Sequence, residues 1–374
     1  MTDIEYMQLA IELARKGTGA VNPNPLVGAV IVKDGDIIGE GWHEYYGGLH
    51  AERNAIKNAK EKNYDLTSAT IYVTLEPCCH HGKTPPCTEA IIENKLERVV
   101  IGSLDPNPLV AGKGIDILRK AGIKVESGVL EKECDELNQV FFHYIKNKTP
   151  YVVMKYAMTL DGKICTVAGN SKWITGEKAR ENVHKDRSRY MGIMVGVGTV
   201  VADDPELTCR AEKLEGVKRN PIRIICDTSL TTPLNSKLVE TAKETRTIIA
   251  TACNYEQKQQ LYTDRGCELV VVGKKDDHID LNELMIKLGE MGIDSILLEG
   301  GSTLNYSAIS SGIVNKVQAY IAPKIWGGNM AKTPVGGMGV IEVADGFEIE
   351  NMTLTQLGDD FLLSGEVKRK CLQE

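Results

Sequence analysis

The chain lacks any uninterrupted apolar run approaching the ~20 residues that cross a bilayer, which argues against a helical membrane span. Its first residues, Met1-Thr2-Asp3-Ile4-Glu5, lack the basic and apolar regions of an export signal, so a cytoplasmic location is the expectation. It has no excess of basic charge. Lys+Arg number 44 against 51 Asp+Glu, a net charge of −7, which argues against an extended nucleic-acid surface and for a small-molecule substrate. No internal repeat and no low-complexity segment interrupts it. What remains is a globular composition, 42% hydrophobic and 25% charged. At 374 residues it exceeds the size at which single cores stop growing, so two domains are expected.

Ten cysteines without an export signal suit a reducing compartment, where thiols bind metals or fill cores. Cys134, Cys165, Cys209, Cys226, Cys253, Cys267 and Cys371 read as inert. The other three lie in the most informative stretch of the chain. His50-Ala51-Glu52 is followed by Leu75-Glu76-Pro77-Cys78-Cys79-His80-His81-Gly82-Lys83-Thr84-Pro85-Pro86-Cys87. A zinc that does chemistry keeps three protein ligands and an open position, and His50, Cys78 and Cys87 supply three. Glu52 then reads as the proton shuttle of a zinc nucleobase deaminase. The usual signature of that class, H-x-E then P-C-x-x-C, fails at position 81, which is histidine, and the next cysteine lies nine residues beyond Cys78. His50/Cys78/His81 and His50/Cys79/Cys87 therefore compete as ligand sets, and a purely structural zinc competes with all three. Cys87 follows Pro85-Pro86 and opens a helical pattern, where amide dipoles favour a thiolate.

The first half alternates strands and helices, as in a layered α/β domain. Asp3 is placed to cap a helix with the stripe Met7, Ala10, Ile11 and Ala14, and Asp34-Gly35 signals a hairpin between residues 27–33 and 36–38. Helices are expected at 50–59, 87–94 and 114–121, strands at 70–74, 98–101 and 123–125, and one charged helix over Glu131–Lys148. Thr149-Pro150 breaks that pattern, giving domains of residues 1–147 and 148–374. Beyond the break, strands are expected at 151–157, 191–196, 221–226, 246–250, 268–272, 294–298 and 315–322, with helices at 177–189, 280–291 and 303–311.

Glu299-Gly300-Gly301-Ser302-Thr303 follows an apolar strand and opens a helix, a turn at which backbone amides can approach a phosphate. Gly196-Val197-Gly198 is similarly placed, but Val201 stands where a dinucleotide fingerprint needs its third glycine. Asp203-Asp204-Pro205, with Thr208 and Arg210, forms a polar knot whose bland reading is a turn with a capping aspartate.

These residues resemble the bifunctional deaminase/reductase of riboflavin biosynthesis. The resemblance rests on His50-Ala51-Glu52, Pro77-Cys78 and His80-x-Gly82-Lys83-Thr84-Pro85-Pro86-Cys87, whose cysteine spacing is that of the family. It continues through Asn24-Pro25-Leu26-Val27-Gly28, Asp105-Pro106-Asn107-Pro108, Leu160-Asp161-Gly162-Lys163, Ser171-Lys172-Trp173-Ile174-Thr175, Gly198-Thr199-Val200 and Glu299-Gly300-Gly301. Position 79, commonly serine in such proteins, is cysteine here.

The resemblance implies a cytidine-deaminase-like α/β/α layer followed by a dihydrofolate-reductase-like α/β domain, one zinc per chain, and NADPH. It implies removal of the 2-amino group of 2,5-diamino-6-(5-phosphoribosylamino)pyrimidin-4-one, then reduction of the ribosyl side chain of the resulting uracil. Asn24, His43, His80 and Lys83 match positions around the first substrate. Ala157, Trp173, Thr199, Asp203, Thr228, Gly300 and Gly301 look like NADPH contacts, and Ser171, Arg187, Leu207, Arg210 and Glu299 like contacts of the second substrate. Lys155 and Asp203 look like a polar pair able to steady a ring-opened imine. A homo-oligomer is expected. Two rivals stand beside this reading: another zinc deaminase with an unrelated appendage, and a non-enzymatic zinc-stabilised module, against which the carboxylate of Glu52 argues.

Overall fold

A computed structural model of the chain describes residues 1–81, 85–107 and 110–368. They form two compact units, one of Met1–Lys148 with Lys213–Lys218, the other of Thr149–Glu212 with the chain from Arg219 onward.

In chain order the first unit contains α1 (Asp3–Arg15), β1 (Gly28–Lys33), β2 (Asp36–Trp42), α2 (Ala51–Glu61), β3 (Thr70–Leu75), α3 (Cys87–Glu93), β4 (Arg98–Ser103), α4 (Lys113–Lys120), β5 (Lys124–Ser127), α5 (Glu131–Leu137) and α6 (Gln139–Asn147). The strands lie in the order β2-β1-β3-β4-β5, with β1 antiparallel to both neighbours and β3, β4 and β5 parallel. Alternation along each strand feeds two cores. Ala29, Ile31, Ile71, Val73, Val99 and Ile101 pack against α2, α3 and α4, while Val30, Val32, Tyr72 and Val100 pack against α1. Both sheet faces are thus covered, which makes the α/β/α layer.

Asp34 and Gly35 both take positive φ, 52° and 89°, as the tight β1–β2 turn requires. Two further glycines matter for closeness, because α2 rests directly on β2. A Cβ added at Gly41 would lie 2.3 Å from the Ala55 nitrogen, and one at Gly39 2.5 Å from the Ala55 oxygen.

Two expectations need correction here. Thr2, not Asp3, caps α1, through a capping box with Glu5. Asp3 instead accepts from the Tyr72 hydroxyl at 2.6 Å and from Arg98. The single helix expected over Glu131–Lys148 is divided into α5 and α6 at Asn138, whose buried amide holds both the nitrogen (2.9 Å) and the oxygen (3.0 Å) of Leu26.

The second unit contains β6 (Tyr151–Thr159), α7 (Glu177–Arg189), β7 (Gly192–Gly196), α8 (Val197–Asp203), β8 (Ile222–Cys226), α9 (Lys237–Glu240), β9 (Thr247–Thr251), α10 (Glu256–Thr263), β10 (Glu268–Val271), the ribbon β11 (Lys274–Lys275) and β12 (His278–Ile279), α11 (Leu281–Glu290), β13 (Ser295–Leu298), α12 (Ser302–Ser310), β14 (Val314–Ala322), β15 (Ile349–Leu357) and β16 (Asp360–Val367). Nine strands form one sheet in the order β10-β9-β8-β7-β13-β6-β14-β16-β15. The first seven are mutually parallel, and β16 and β15 add an antiparallel edge. Parallel strands joined by helices put the loops that follow them at one end of the sheet, where open α/β sheets bind ligands.

Candidate active sites

In the first unit, β3 delivers Cys78 three residues past its end, α3 begins at Cys87, and His50 is the N-cap residue of α2. Three separate elements thus aim donors at one point. The His50 nitrogen and the Cys78 and Cys87 sulfurs all lie within 4.8 Å of one another. Nδ1 of His50 is 3.4 Å from each sulfur, a spacing that suits bonds of about 2.0 to 2.3 Å to a shared tetrahedral ion. A hydrogen bond from Cys87, then His50, holds the Cys78 thiol down at about 4, whereas burial pushes Cys87 well up. Metal binding requires both sulfurs as thiolates.

Glu52, in the first turn of α2, is only 3% exposed. Burial, and then the charge on Cys78, raise its carboxyl above the ordinary glutamate range. A buried carboxyl beside the metal ligands whose proton affinity is raised is suited to taking up and passing on a proton. His43 is also buried. Its Nδ1 donates to the Leu49 oxygen at 3.0 Å, so Nε2 accepts from the Asn24 amide at 3.1 Å, and burial keeps the ring neutral.

In the second unit some of the predicted residues are brought together, Lys155 and Arg187 at Glu299 and Thr199 at Gly301. Leu298 pairs with Met154 on one side and Met194 on the other, so Glu299 stands next to Lys155 and beside the end of β7. Arg187 reaches it from α7 with a two-pronged contact, Nε to Oε1 at 2.7 Å and Nη2 to Oε2 at 3.0 Å, while Lys155 Nζ lies 3.6 Å from Oε2. Burial works against the Glu299 charge, but Arg187 and Lys155 outweigh it and hold the carboxyl at about 2. Burial also lowers Lys155, whose single longer contact with Glu299 restores less than it loses. Gly301 starts α12 and Thr199 lies on α8, and a Cβ added at Gly301 would come within 3.4 Å of the Thr199 hydroxyl. Two helix N-termini therefore come close together, and their free backbone amides are the kind of groups that bind a phosphate.

Comparison with known proteins accounts for both halves. A profile for the cytidine and deoxycytidylate deaminase zinc-binding region matches residues 1–103, and one for the RibD C-terminal domain matches residues 150–363. The riboflavin biosynthesis protein RibD of Actinobacillus pleuropneumoniae is 54% identical over 363 residues, covering 97% of this chain and 95% of that protein. The chain belongs to the RibD family. A crystal structure of the deaminase/reductase from Thermotoga maritima is 40% identical, with a TM-score of 0.85 over 98% of this chain and 99% of its own. That of Acinetobacter baumannii RibD, form 1, gives 35% and 0.86 over the same shares. This RibD protein is a bifunctional enzyme of riboflavin biosynthesis, a deaminase followed by a reductase. The appended-domain deaminase and the non-enzymatic module are not favoured.

The RibD chain places its other predicted residues as follows. His81 faces Glu89 at 3.2 Å on the surface, outside the donor cluster, and Cys79 is not in that cluster either. His80 is exposed, and Lys83 lies outside the described residues, as does Cys371. Lys155 is paired with Glu299, the next residue across the strand, while Asp203 lies exposed at the end of α8. Asp204 takes the capping role, accepting from the first amide of α9 at 2.9 Å. Arg187, expected as a substrate contact, spends its guanidinium on Glu299 and on the Thr208 oxygen at 3.2 Å. Arg210 is exposed, contacting Glu206 and Thr208 at 3.1 Å. Trp173 is exposed beneath the Arg180 guanidinium, 4.7 Å from its ring centroid. Thr228 receives the Ile279 amide at 3.2 Å, Ala157 and Ser171 are half-buried, and Leu207 is buried.

Sequence reasoning missed Glu76. Its buried carboxylate accepts from the amides of Gly112 (3.0 Å), Gly114 (3.0 Å) and Ile115 (3.4 Å), fastening the start of α4 to the chain two residues before Cys78. An acidic residue directly after an apolar strand was the available signal.

Proposed function

We propose that the enzyme carries out both reactions with the residues gathered above: deamination of 2,5-diamino-6-(5-phosphoribosylamino)pyrimidin-4-one, then reduction of 5-amino-6-(5-phosphoribosylamino)uracil to its ribityl form. Its cofactors are zinc and NADPH. His50, Cys78 and Cys87 hold one zinc per chain, and the observation that carries this reading is their convergence beside a buried carboxyl. Zinc supplies Lewis acidity that makes water an effective nucleophile at neutral pH. Glu52 accepts the proton of that water and delivers it to the departing amino nitrogen. Asn24, whose amide nitrogen is committed to His43, offers its oxygen to the pyrimidine, and His80 and Lys83 are proposed as contacts of the phosphate on the family's pattern.

NADPH supplies hydride for the second reaction. Thr199, Thr228, Gly300, Gly301, Ala157, Trp173 and Asp203 bind it, a reading supported by the close approach of Gly301 at the start of α12 to Thr199 on α8. Lys155 donates the proton that accompanies hydride addition to the ring-opened imine, and Glu299 keeps it oriented. Arg210 binds the substrate phosphate, Ser171 and Leu207 line its path, and Arg187 anchors Glu299.

The substrates are small molecules, and no helix among the described residues is long and apolar enough to cross a membrane. A reducing cytoplasm suits a site whose two thiols must stay reduced to bind metal. We infer a homo-oligomer, supported by the nearly full exposure of Met330, Met338, Ile341 and Val343, large apolar side chains in one stretch of chain that a second copy would cover. One reaction tests the whole: deaminated product and NADPH oxidation measured together with the diaminopyrimidinone substrate. Deamination without NADPH oxidation would sink the second half.

A further inference from the structure

Helix α7 does more than supply Arg187. Residues 207–212 run beside it with alternating burial: Leu207, Cys209 and Ala211 are buried, whereas Arg210 and Glu212 are exposed and Thr208 is half-buried. Three α7 side chains spaced three residues apart, and so on one helix face, engage alternate residues of this segment. Arg187 Nη1 donates to the Thr208 oxygen at 3.2 Å, the Arg210 amide donates to His184 Nδ1 at 3.2 Å, and the Glu212 amide donates to Glu181 Oε1 at 3.1 Å. Three helical residues rise about 4.5 Å and two extended residues about 6.6 Å, so the long chains of Glu181 and Arg187 absorb the mismatch at the ends and the short imidazole sets the middle. The Cys209 thiol also donates to the His184 oxygen at 3.1 Å.

We propose that His184 is a positioning residue of the reductase, fixing the register of residues 207–212 on α7 so that Arg210 faces the substrate phosphate. A one-residue slip would exchange the two faces of the segment, burying Arg210 and exposing Cys209. The role requires an imidazole that accepts at Nδ1. Burial, and after it the charges of Arg187 and Arg210, hold His184 down at about 4, so the ring is neutral at neutral pH, and the Arg210 amide that Nδ1 accepts leaves its one proton on Nε2. The inference rests on Arg210 as the phosphate contact, and its test separates the two.

Three variants of the full-length, zinc-loaded enzyme are compared: His184→Ala, His184→Asn, whose amide oxygen falls near the position of Nδ1, and His184→Gln, whose polar end falls farther out. Loss of one such hydrogen bond is worth roughly tenfold. His184→Ala and His184→Gln should raise KM for the phosphorylated substrate about that much, with kcat, NADPH affinity and deamination changed less than about twofold. His184→Asn should restore KM to within about threefold. Hydrogen exchange of residues 207–212, which needs no substrate, should quicken in the Ala and Gln variants and recover in the Asn variant. Unchanged exchange in His184→Ala, or recovery with Gln but not Asn, overturns the register role. A fall in kcat at constant KM overturns it too, since the ring would then touch the reacting atoms. Arg210→Ala is run alongside: normal KM in that variant, with the exchange pattern as expected, refutes the phosphate assignment and leaves the register intact.

Discussion

Replacing Glu299 with glutamine keeps the shape of the reductase centre and removes the one negative charge between two buried cations. Holding the carboxyl at about 2, against an ordinary 4.5, is worth roughly 3 kcal/mol at about 1.4 kcal/mol per pH unit. Leaving a buried partner uncompensated costs about 3–5 kcal/mol. The lower end applies, because glutamine still accepts from Arg187 and Lys155, already disfavoured as an ammonium, can shed its proton. Glu299→Gln should therefore lose about 3 kcal/mol at pH 7. The sign of the pH effect follows from a depressed carboxyl: its stabilisation is complete above about 4.5 and fades as pH falls towards about 2. The gap between wild type and variant should then narrow to roughly 2 kcal/mol at pH 3.5. Denaturant titrations followed by tryptophan fluorescence report mainly this unit, which holds Trp173 and Trp326, and acid effects on the zinc site cancel in the difference. A gap that does not change with pH would refute the ion pair as the source.

Glu52→Gln should retain about one zinc per chain by metal analysis while deamination falls by about 10² to 10⁴-fold; loss of zinc would make Glu52 a ligand. His50→Ala and Cys87→Ala should lose the metal, and Cys79→Ser should keep both metal and activity, so zinc retained without Cys87 would reassign that ligand. Arg210→Ala should raise the reductase KM with NADPH affinity and deamination little changed; weaker NADPH binding with normal substrate binding would reverse the division of that pocket. A fragment of residues 1–147 should bind zinc on its own; failure to fold would give a role to Lys213–Lys218, which cluster with that unit and donate from Val217 to the Thr18 oxygen at 2.9 Å.

Much of this was legible because apolar runs and their breaks follow the burial that tertiary structure imposes. The helix read over 177–189 is α7, and the strand expected at 294–298 is found as β13 one residue shorter. Where burial is one-sided or absent, the signal fails. Almost every residue of β15 is exposed, so it shows no alternation to read, and the β15–β16 edge went unforeseen. The donor cluster could be read because its motif spacing reflects one metal. The pairing of Arg187 with Glu299 could not, since strand order alone brings together residues 112 positions apart. Glu76 was hidden for the same reason: its partners are backbone amides, which leave no trace in residue identity.

The seating of α2 on Gly39 and Gly41 carries a lesson about tolerance to mutation. His50 begins that helix, so the height of a metal donor above the sheet is set by two hydrogen atoms on β2, at the face of α2 that rests on the sheet. In a survey of all single substitutions, these glycines should rank with the donors themselves for loss of deamination while leaving the reductase untouched. Selection on one activity of a two-activity chain thus reaches positions that no inventory of contacts to zinc or substrate would name.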